Sequence, residues 1–152
     1  MRRKDKLVSN ILEIESIISQ AVVCHLGLCY ENKPYIIPLN FGYKNNILYF
    51  HSANEGKKLD IIKLNNQVCF EMDVDHELLS ADSACKWGFK YRSVIGFGIA
   101  SIITDLFQKQ EALQIIMNQY SNQNHSFSDK NLNNTTVIKV EITEITGKSS
   151  GY

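Results

Sequence analysis

The stretch WGFKYRSVIGFGIASIIT, residues 87–104, decides the fold of this chain. It is rich in aromatic and β-branched residues, which favour a β-strand, and it contains Gly88, Gly96 and Gly98. Glycines within a strand indicate bends or bulges of the kind that close a sheet into a barrel. Because a strand of this length does not fit a sandwich without a bend, we expect a bent strand in a closed barrel.

The sequence on either side of this strand predicts the remaining elements of a barrel. Asn45 and Asn46 make a tight connection that joins two of the strands as a hairpin. The pattern predicts a small antiparallel barrel of five or six strands with helical caps, in a single domain. Strands are expected at 21–30, 35–43, 47–51, 67–74 and 135–145, helices at 10–20, after Gly56 and at 105–120, and loops at 76–85 and 121–134. In the second helix Leu59, Ile62 and Leu64 are expected to face the core.

The composition is that of a globular protein without a strong charge. The chain has 152 residues, of which 44% are hydrophobic, and its 16 basic and 16 acidic residues balance. A neutral balance argues against nucleic-acid or anionic-membrane binding, which needs a basic field. The basic start, residues 1–6, is not followed by an apolar segment, and no apolar run is long enough to span a bilayer. We therefore expect a cytoplasmic protein with neither nucleic acid nor membrane as a partner.

The four cysteines do not indicate a disulfide framework. Cys24, Cys29, Cys69 and Cys85 show no CxxC spacing, and the first three lie among apolar neighbours. Such cysteines are typical of reduced thiols in a cytoplasmic protein. We expect all four to be free and the first three to be buried.

Residues 49–58, YFHSANEGKK, predict a strand that ends at His51 and Ser52, then a turn and two lysines that open a helix. A helix N-terminus presents free N–H groups and a positive dipole end, so it favours a bound anion. Two lysines there are unfavourable unless an anion lies nearby. The stretch therefore predicts a site for the phosphate of a cofactor. The alternative is an ordinary capping box with Ser52 as the N-cap and Glu55 three residues on, and the sequence leaves both open.

Two further features lie close to this stretch. His51 is expected to share a strand face with Tyr49, either as a structural histidine or as a ligand contact and proton donor. Pro38 interrupts the strand expected to pair with the one that ends at His51, because proline cannot donate to the ladder. The interrupted backbone from Pro38 to Gly42 suits hydrogen bonding to a planar heterocycle. A proline that protects a sheet edge explains the same residues equally well.

The long strand also carries an aromatic row. Trp87, Phe89 and Tyr91 share one face, and Lys90 and Arg92 share the other. Such a row of aromatic side chains usually packs in the core. The two cations on the opposite face require that one side of the strand face solvent, ionic partners or a ligand.

An acidic row on the preceding strand is the nearest approach to a metal-binding pattern. Glu71, Asp73 and Asp75 alternate, with His76 next in the chain. Such a row suits a hard cation, but a solvated strand face is the interpretation we favour, so no metal site is predicted. No nucleophile elbow, HExxH, Walker loop or GxGxxG motif occurs, which argues against the corresponding hydrolase, metalloprotease, NTPase and Rossmann classes.

Taken together, these motifs resemble the flavin-binding split-barrel superfamily of pyridoxamine 5′-phosphate oxidase, and within it the branch of nitroimidazole-resistance proteins. The resemblance extends from Met1 to Lys148, and its strongest segments are PLNFGY (38–43), LYFHSA (48–53), EGKK (55–58), VCFE (68–71), WG (87–88) and YRSVIG (91–96). It implies a mainly β (α+β) fold: a small six-stranded antiparallel split β-barrel with short flanking helices, forming one FMN-binding domain over 1–152.

The resemblance also implies a homodimer with FMN in clefts at the subunit interface. It implies that the backbone of 38–41 lines the isoalloxazine ring, that His51 and Ser52 approach the ribityl chain and phosphate, and that the lysine pair neutralises the phosphate. His51 is the expected catalytic residue. The implied cofactor-binding residues are Pro38, Leu39, Asn40, Phe41, His51, Ser52, Ala53, Lys57, Lys58, Trp87, Tyr91, Ser93 and Val94.

The activity implied is that of an FMN-dependent oxidoreductase acting on small oxidised substrates such as nitro-aromatic compounds. The chain lacks the C-terminal Trp/Arg-rich segment that binds pyridoxal phosphate in the oxidase itself, so oxidation of pyridoxamine phosphate is not expected. The alternative is a non-catalytic flavin or haem carrier, in which His25 or His51 would serve as an axial ligand.

Overall fold

A computed structural model describes residues 3–152; Met1 and Arg2, where the resemblance begins, lie outside the described residues. The strands are β1 (Leu7–Val8), β2 (Cys24–Tyr30), β3 (Lys33–Leu39), β4 (Phe41–Lys44), β5 (Ile47–Ser52), β6 (Gln67–Leu79), β7 (Gly88–Ile103) and β8 (Thr136–Ser150). The helices are α1 (Ile11–Gln20), α2 (Lys57–Leu64), α3 (Leu106–Asn118) and α4 (Asp129–Asn133), with 3₁₀ turns at Lys4–Lys6 and Ala84–Lys86.

All of the strands belong to one antiparallel sheet. Its order is β3-β2-β6-β7-β8-β5-β4, and β1 pairs with β8. The two strands at the ends of this order, β3 and β4, are consecutive in the chain and are separated only by Asn40. The chain thus passes directly from one end of the sheet to the other, as a split barrel requires. The mainly β prediction is confirmed, with eight strands rather than six in the described residues.

The two additional strands have identifiable causes. One is the short β1, and the other arises because the strand expected at 35–43 is broken at Asn40. Before the break, Pro38 pairs with His25 of β2; after it, Phe41 pairs with Phe50 of β5. The expected pairing of the whole segment with β5 is therefore wrong for its first half. Because Pro38 lies on β3 at the end of the sheet order, the edge-strand interpretation of this proline is confirmed.

Tyr120, which follows α3 in the chain, provides a hydrogen-bond acceptor for a backbone N–H at this break. The Phe41 N–H donates to the hydroxyl of Tyr120 at 2.9 Å, and that hydroxyl donates to the carbonyl of Val22 at 3.1 Å. α3 also lies very close to β4, because a Cβ on Gly42 would approach the carbonyl oxygen of Ile115 to 2.6 Å. The break is thus fixed by long-range contacts.

The long central strands extend further than the sequence predicts. β6 continues to Leu79 and β8 to Ser150, so the first part of the loop expected at 76–85 is strand. The cause is β7, which offers pairing partners along its whole length even where β6 no longer alternates apolar and polar residues. A register shift between Phe97 and Gly98 confirms the irregularity that the glycines predict. The loop expected at 121–134 includes α4.

The core fills the inside of the barrel and its helical caps. Phe41, Phe50 and Phe70 are almost fully buried there, and each such side chain contributes about 1.5–3 kcal/mol relative to an exposed one. From α2, Leu59 and Ile62 join this core as expected, whereas Leu64 is 62% exposed. The expectation for Leu64 is wrong because it is the last residue of the helix.

All four cysteines are free, as expected, but only Cys24 is buried. Its burial raises the pKa of the Cys24 thiol above the ordinary value. Burial was wrongly expected for Cys29 and Cys69; Cys69 alternates with the buried Val68 and Phe70, so it lies on the outer face of β6. Within residues 3–152, no helix is both long enough and apolar enough to cross a bilayer.

Candidate functional site

The end of β5 holds a buried polar group without a partner. Ser52 is the last residue of β5 and pairs with Thr136 of β8. Only 6% of Ser52 is exposed, and its Oγ has no hydrogen-bond partner among the described residues. Leaving a buried hydroxyl unpaired costs about 1–3 kcal/mol. A polar ligand group at this position would recover that cost.

Helix α2 begins without a side-chain cap. Its N-cap is Gly56, at φ +130°, and no side chain accepts a hydrogen bond from its first N–H groups. The first helical hydrogen bond runs from the Leu59 N–H to the Gly56 carbonyl at 2.9 Å, so the N–H groups of Lys57 and Lys58 precede it. The capping-box alternative is wrong, because Ser52 belongs to β5 and the helix starts later. An uncapped N-terminus that carries two lysines suits an anion.

The turn between Ser52 and α2 is held by contacts that no local pattern reveals. Asn54 donates through Nδ2 to the Asn133 carbonyl at 3.0 Å and accepts through Oδ1 from the Thr136 hydroxyl at 2.9 Å. The Nζ of Lys57 lies 4.4 Å above the centre of the Tyr35 ring, a cation–π distance. Sequence reasoning missed Asn54, Tyr35 and Thr136 as contributors because their partners are distant in the chain. Ala53 is exposed within this turn.

His51 lies on the outer face of β5. It is exposed, as Tyr49 partly is, while Phe50 and Ser52 on the opposite face are buried, so the expected shared face of His51 and Tyr49 is confirmed. The 38–41 segment lies beside it, since Phe41 pairs with Phe50. At the break itself Asn40 is exposed, whereas the Phe41 N–H is already engaged by Tyr120. The residues expected at 38–41 and at 51–58 are thus brought together.

The cofactor-binding residues expected at 87–94 lie elsewhere, on β7 and just before it. Trp87 is 51% exposed and donates through Nε1 to the Ala81 carbonyl at 2.7 Å. The Tyr91 hydroxyl accepts a hydrogen bond from Lys148, whose Nζ lies 4.7 Å above the centre of the same ring. Ser93 and Val94 are buried, with 6% and 0% exposed. The exposed Trp87 shows that the aromatic row is not core.

The pairing of β8 shows how far apart the two groups are. Ser52 pairs with Thr136 at the start of β8, and Ser93 pairs with Lys148 near its end. At about 3.3 Å per residue, partners this far apart along a strand cannot contact one small ligand together. Ser52 and Ser93 therefore do not lie at one small-ligand site within a single chain.

Comparison with known proteins identifies the family. Residues 11–149, most of the chain, match the family described as pyridoxamine 5′-phosphate oxidase. The chain belongs to the pyridoxamine 5′-phosphate oxidase family. A search of curated proteins finds no match.

Several solved structures resemble this family member. A candidate 5-nitroimidazole antibiotic resistance protein from Bacteroides thetaiotaomicron is 37% identical over 94% of this chain and 86% of that chain, with a TM-score of 0.85. The flavocytochrome Anf3 from Azotobacter vinelandii is 20% identical over 100% of this chain and 72% of that one, with a TM-score of 0.87. The FAD and heme binding protein from Mycobacterium smegmatis is 17% identical over 97% and 74%, with a TM-score of 0.87. The last two show a shared fold.

Two cavities of this pyridoxamine 5′-phosphate oxidase family member lie away from the expected site. One of about 620 Å³ lies between α3 and β5, where Tyr49 and Ala112 face each other. Burial there raises the pKa of the Tyr49 hydroxyl. Another of about 400 Å³ is a groove on the outer face of β6 and β7, lined by Cys69 and Phe97. Neither is lined by a residue that the sequence assigns to cofactor binding.

Proposed function

We propose that the chain is a cytoplasmic FMN-binding flavoprotein that acts, as a homodimer, as an oxidoreductase on small oxidised substrates such as nitro-aromatic compounds. The observation that carries the proposal is the Ser52 hydroxyl, which is buried and has no hydrogen-bond partner in the described residues. Helix α2 begins shortly after it, at Lys57 and Lys58, without a side-chain cap. The 37% identical relative supports the substrate class. The four free thiols support a reducing compartment.

The residues present fit a phosphate monoester. Such a group carries about −1.5 to −2 charge at neutral pH and three strong acceptor oxygens. The chain offers two cationic side chains, Lys57 and Lys58, two backbone N–H groups at the start of α2, and the Ser52 hydroxyl as a donor. The match of two lysines to a phosphate group favours a phosphorylated flavin over riboflavin, which ends in a free hydroxyl, and we propose FMN as that flavin. Asn54 would keep the turn in place through its bonds to Asn133 and Thr136.

We propose that the dimer forms through the apolar strip, which we define as Ile36, Cys69, Ile95, Phe97 and Ile99 on the outer face of β3, β6 and β7. Phe97 is 52% exposed and Ile36 67% exposed. A contiguous exposed apolar surface of this kind is typical of a protein interface. Joining two chains there would supply the β7 residues of one chain to the phosphate turn of the other.

Replacing Phe97 by aspartate tests the dimer. We expect Phe97→Asp to convert a dimer into a folded monomer with at least tenfold weaker FMN binding, because a desolvated carboxylate in an apolar interface is strongly unfavourable. Light scattering after size exclusion measures the mass. Phe107→Asp is the matched control, since Phe107 is 69% exposed on α3, away from the strip. A wild-type monomer at micromolar concentration, or a Phe97→Asp dimer, contradicts this interface.

The chemistry of the proposed reaction is divided between cofactor and protein. When bound, a flavin takes up electrons from a donor and passes them to a substrate. The protein's own residues would hold the cofactor: Ser52, Lys57 and Lys58 the phosphate, and the backbone of 38–41 the ring. His51 is exposed beside this region, and an imidazole is well suited to hold and release a proton near neutral pH. We propose that His51 supplies a proton to the reduced substrate.

Cofactor analysis and a single-turnover assay test the function as a whole. The purified protein is saturated with FMN, desalted and denatured, and the released flavin is identified and counted; we expect one FMN per chain. In a second, undenatured sample, the bound flavin is reduced with dithionite in the absence of oxygen, and a nitroimidazole is then added. Reoxidation of the flavin by the nitro compound is the expected result. FMN binding without reoxidation would support a carrier instead, and no uptake of FMN would overturn the proposal.

Replacing Ser52 by alanine should change stability and affinity in opposite directions. Without FMN, Ser52→Ala is expected to leave the free energy of unfolding unchanged or raise it by about 1 kcal/mol, because it removes an unpaired buried hydroxyl. FMN binding should weaken about tenfold through the lost hydrogen bond, which corresponds to about 1.4 kcal/mol. Urea denaturation and fluorescence titration measure the two effects. Ser101→Ala on β7 is the control, and unchanged FMN affinity in Ser52→Ala would argue against this serine as a ligand.

A further inference from the structure

A second cluster of chemically active side chains lies outside the proposed flavin site, on the outer face of β2 and β6. His25 pairs directly with Glu71 across the two strands, and its Nδ1 lies 3.4 Å from the Glu71 Oε2. Asp73 follows two positions later on β6, and one donor atom from each of the three residues lies within 4.8 Å of the others. A regular sheet thus places an imidazole and two carboxylates around one point.

A bulge in β6 adds a fourth side chain. In a regular strand, residues three apart point to opposite faces, so His76 would lie far from Asp73. A register shift between Val74 and Glu77, with Asp75 at φ +57°, turns the chain here. As a result the His76 Nε2 lies 2.6 Å from the Asp73 Oδ2.

The His76 ring is also held in place. It stacks on Phe89, with 5.8 Å between ring centres and 18° between the planes. The bulge and the stacking together orient this imidazole toward the carboxylates.

The acidic residues of β6 are divided into two kinds by their partners. Asp75, within the bulge, pairs with Arg92, and Glu77, beyond it, pairs with Lys90; both partners are permanent cations on β7. In the part of the chain that the structure describes, Glu71 and Asp73 form ion pairs only with the two histidines. Isolated exposed ion pairs of this kind contribute about 0–1 kcal/mol, so stability alone does not account for two carboxylates that lack a permanent cation.

We propose that His25, Glu71, Asp73 and His76 form a binding site for a divalent first-row transition-metal ion. Two imidazole nitrogens and two carboxylate oxygens are a ligand set that suits Zn²⁺ and its neighbours, whereas Mg²⁺ and Ca²⁺ prefer oxygen ligands alone. The four side chains are between 37% and 45% exposed in the single chain. The site lies beside residues proposed for the flavin site, because His25 pairs with Pro38 of β3 and Asp73 pairs with Ser93 of β7.

Calorimetric titration tests the site. Chelator-treated, dialysed protein is titrated with ZnCl₂ and, separately, with MgCl₂. We expect one Zn²⁺ per chain with micromolar or tighter affinity, and no saturable Mg²⁺ binding. His25→Asn and His76→Asn should each weaken Zn²⁺ binding at least tenfold, while His125→Asn, a histidine outside the cluster, should leave it unchanged. Absence of saturable Zn²⁺ binding, or equal losses in all three variants, overturns the proposal.

The exposed thiols require a separate control, because they also bind Zn²⁺. A variant with serine at Cys29, Cys69 and Cys85 should keep the full stoichiometry and affinity. Loss of Zn²⁺ in this variant would place the ion on the thiols and overturn the assignment to the histidine cluster. FMN content is measured in His76→Asn, because His76 pairs with none of the residues proposed to bind flavin. It should not change, so failure of the metal site and failure of the flavin site are distinguished.

Discussion

Replacement of both Lys57 and Lys58 by alanine is expected to weaken FMN binding at least a hundredfold. The two side chains stand at the start of α2, where the helix lacks a side-chain cap. Hydrogen bonds to charged groups contribute about 1.5–3 kcal/mol each, and about 1.4 kcal/mol corresponds to a factor of ten in affinity. Two such contacts to a phosphate dianion therefore account for a hundredfold or more. Fluorescence titration with FMN measures the change.

The same variant should be no less stable than the wild type when FMN is absent. Lysines in the first turn oppose the helix dipole, an effect of about 0.3–1 kcal/mol, although Lys57 loses its contact with Tyr35. Lys63→Ala, near the other end of α2, is the matched control and should bind FMN normally. Riboflavin, which lacks the phosphate, should bind the double variant and the wild type equally. A fall in affinity for both flavins alike would mean that the lysines support the fold rather than the phosphate.

The lysine pair shows what the sequence can predict about this site. Lys57 and Lys58 are adjacent in the chain and begin a helix, so their relation to the helix dipole is a local property. The unpaired hydroxyl of Ser52 is a different case, because the sequence is equally compatible with a capping serine. Whether that hydroxyl is buried and unpaired depends on β8, which pairs with β5 more than eighty residues later in the chain. Local pattern therefore predicted the charge of the site but not its unpaired donor.

The fold shows the same division. The alternation and the glycines of β7 predict a long, irregular strand, and the structure has one. The break at Asn40 has no comparable signal, since it is fixed by Tyr120 and by the pairing of β3 with β2. The extension of β6 past Asp75 follows from its pairing with β7, where the residues of β6 no longer alternate in hydrophobicity. Neither the break nor the extension can be predicted from about ten neighbouring residues, because both depend on strands and side chains that are distant in the chain.

A large loss of stability is expected from Gly96→Ala, on β7. A Cβ at this position would lie 2.3 Å from Cζ of Phe70 and 2.7 Å from the carbonyl oxygen of Glu144. Phe70 is 1% exposed in the core, and the Glu144 carbonyl belongs to the strand paired with β7, so neither neighbour moves freely. Overpacking of this kind lowers the free energy of unfolding by about 1–3 kcal/mol. Because the new Cβ would clash with two neighbours, we expect Gly96→Ala to lose about 3 kcal/mol, the upper end of this range. Urea denaturation of the protein without FMN measures it.

Two further variants show whether the loss comes from Phe70 rather than from the change of residue type. Gly88→Ala, on the same strand, adds a Cβ that meets Leu79 at an ordinary 3.5 Å. Because alanine orders a strand at lower entropic cost than glycine, this control should be neutral or slightly stabilising. Phe70→Leu alone should destabilise by leaving a cavity, yet in combination with Gly96→Ala it makes room for the new methyl group. The double variant should therefore be more stable than the sum of the single losses by about 1 kcal/mol or more. Strict additivity would mean that only the Glu144 carbonyl, and not Phe70, excludes a side chain at position 96. A Gly96→Ala protein as stable as Gly88→Ala would contradict the prediction, because the neighbours of position 96 would then have moved to admit the methyl group.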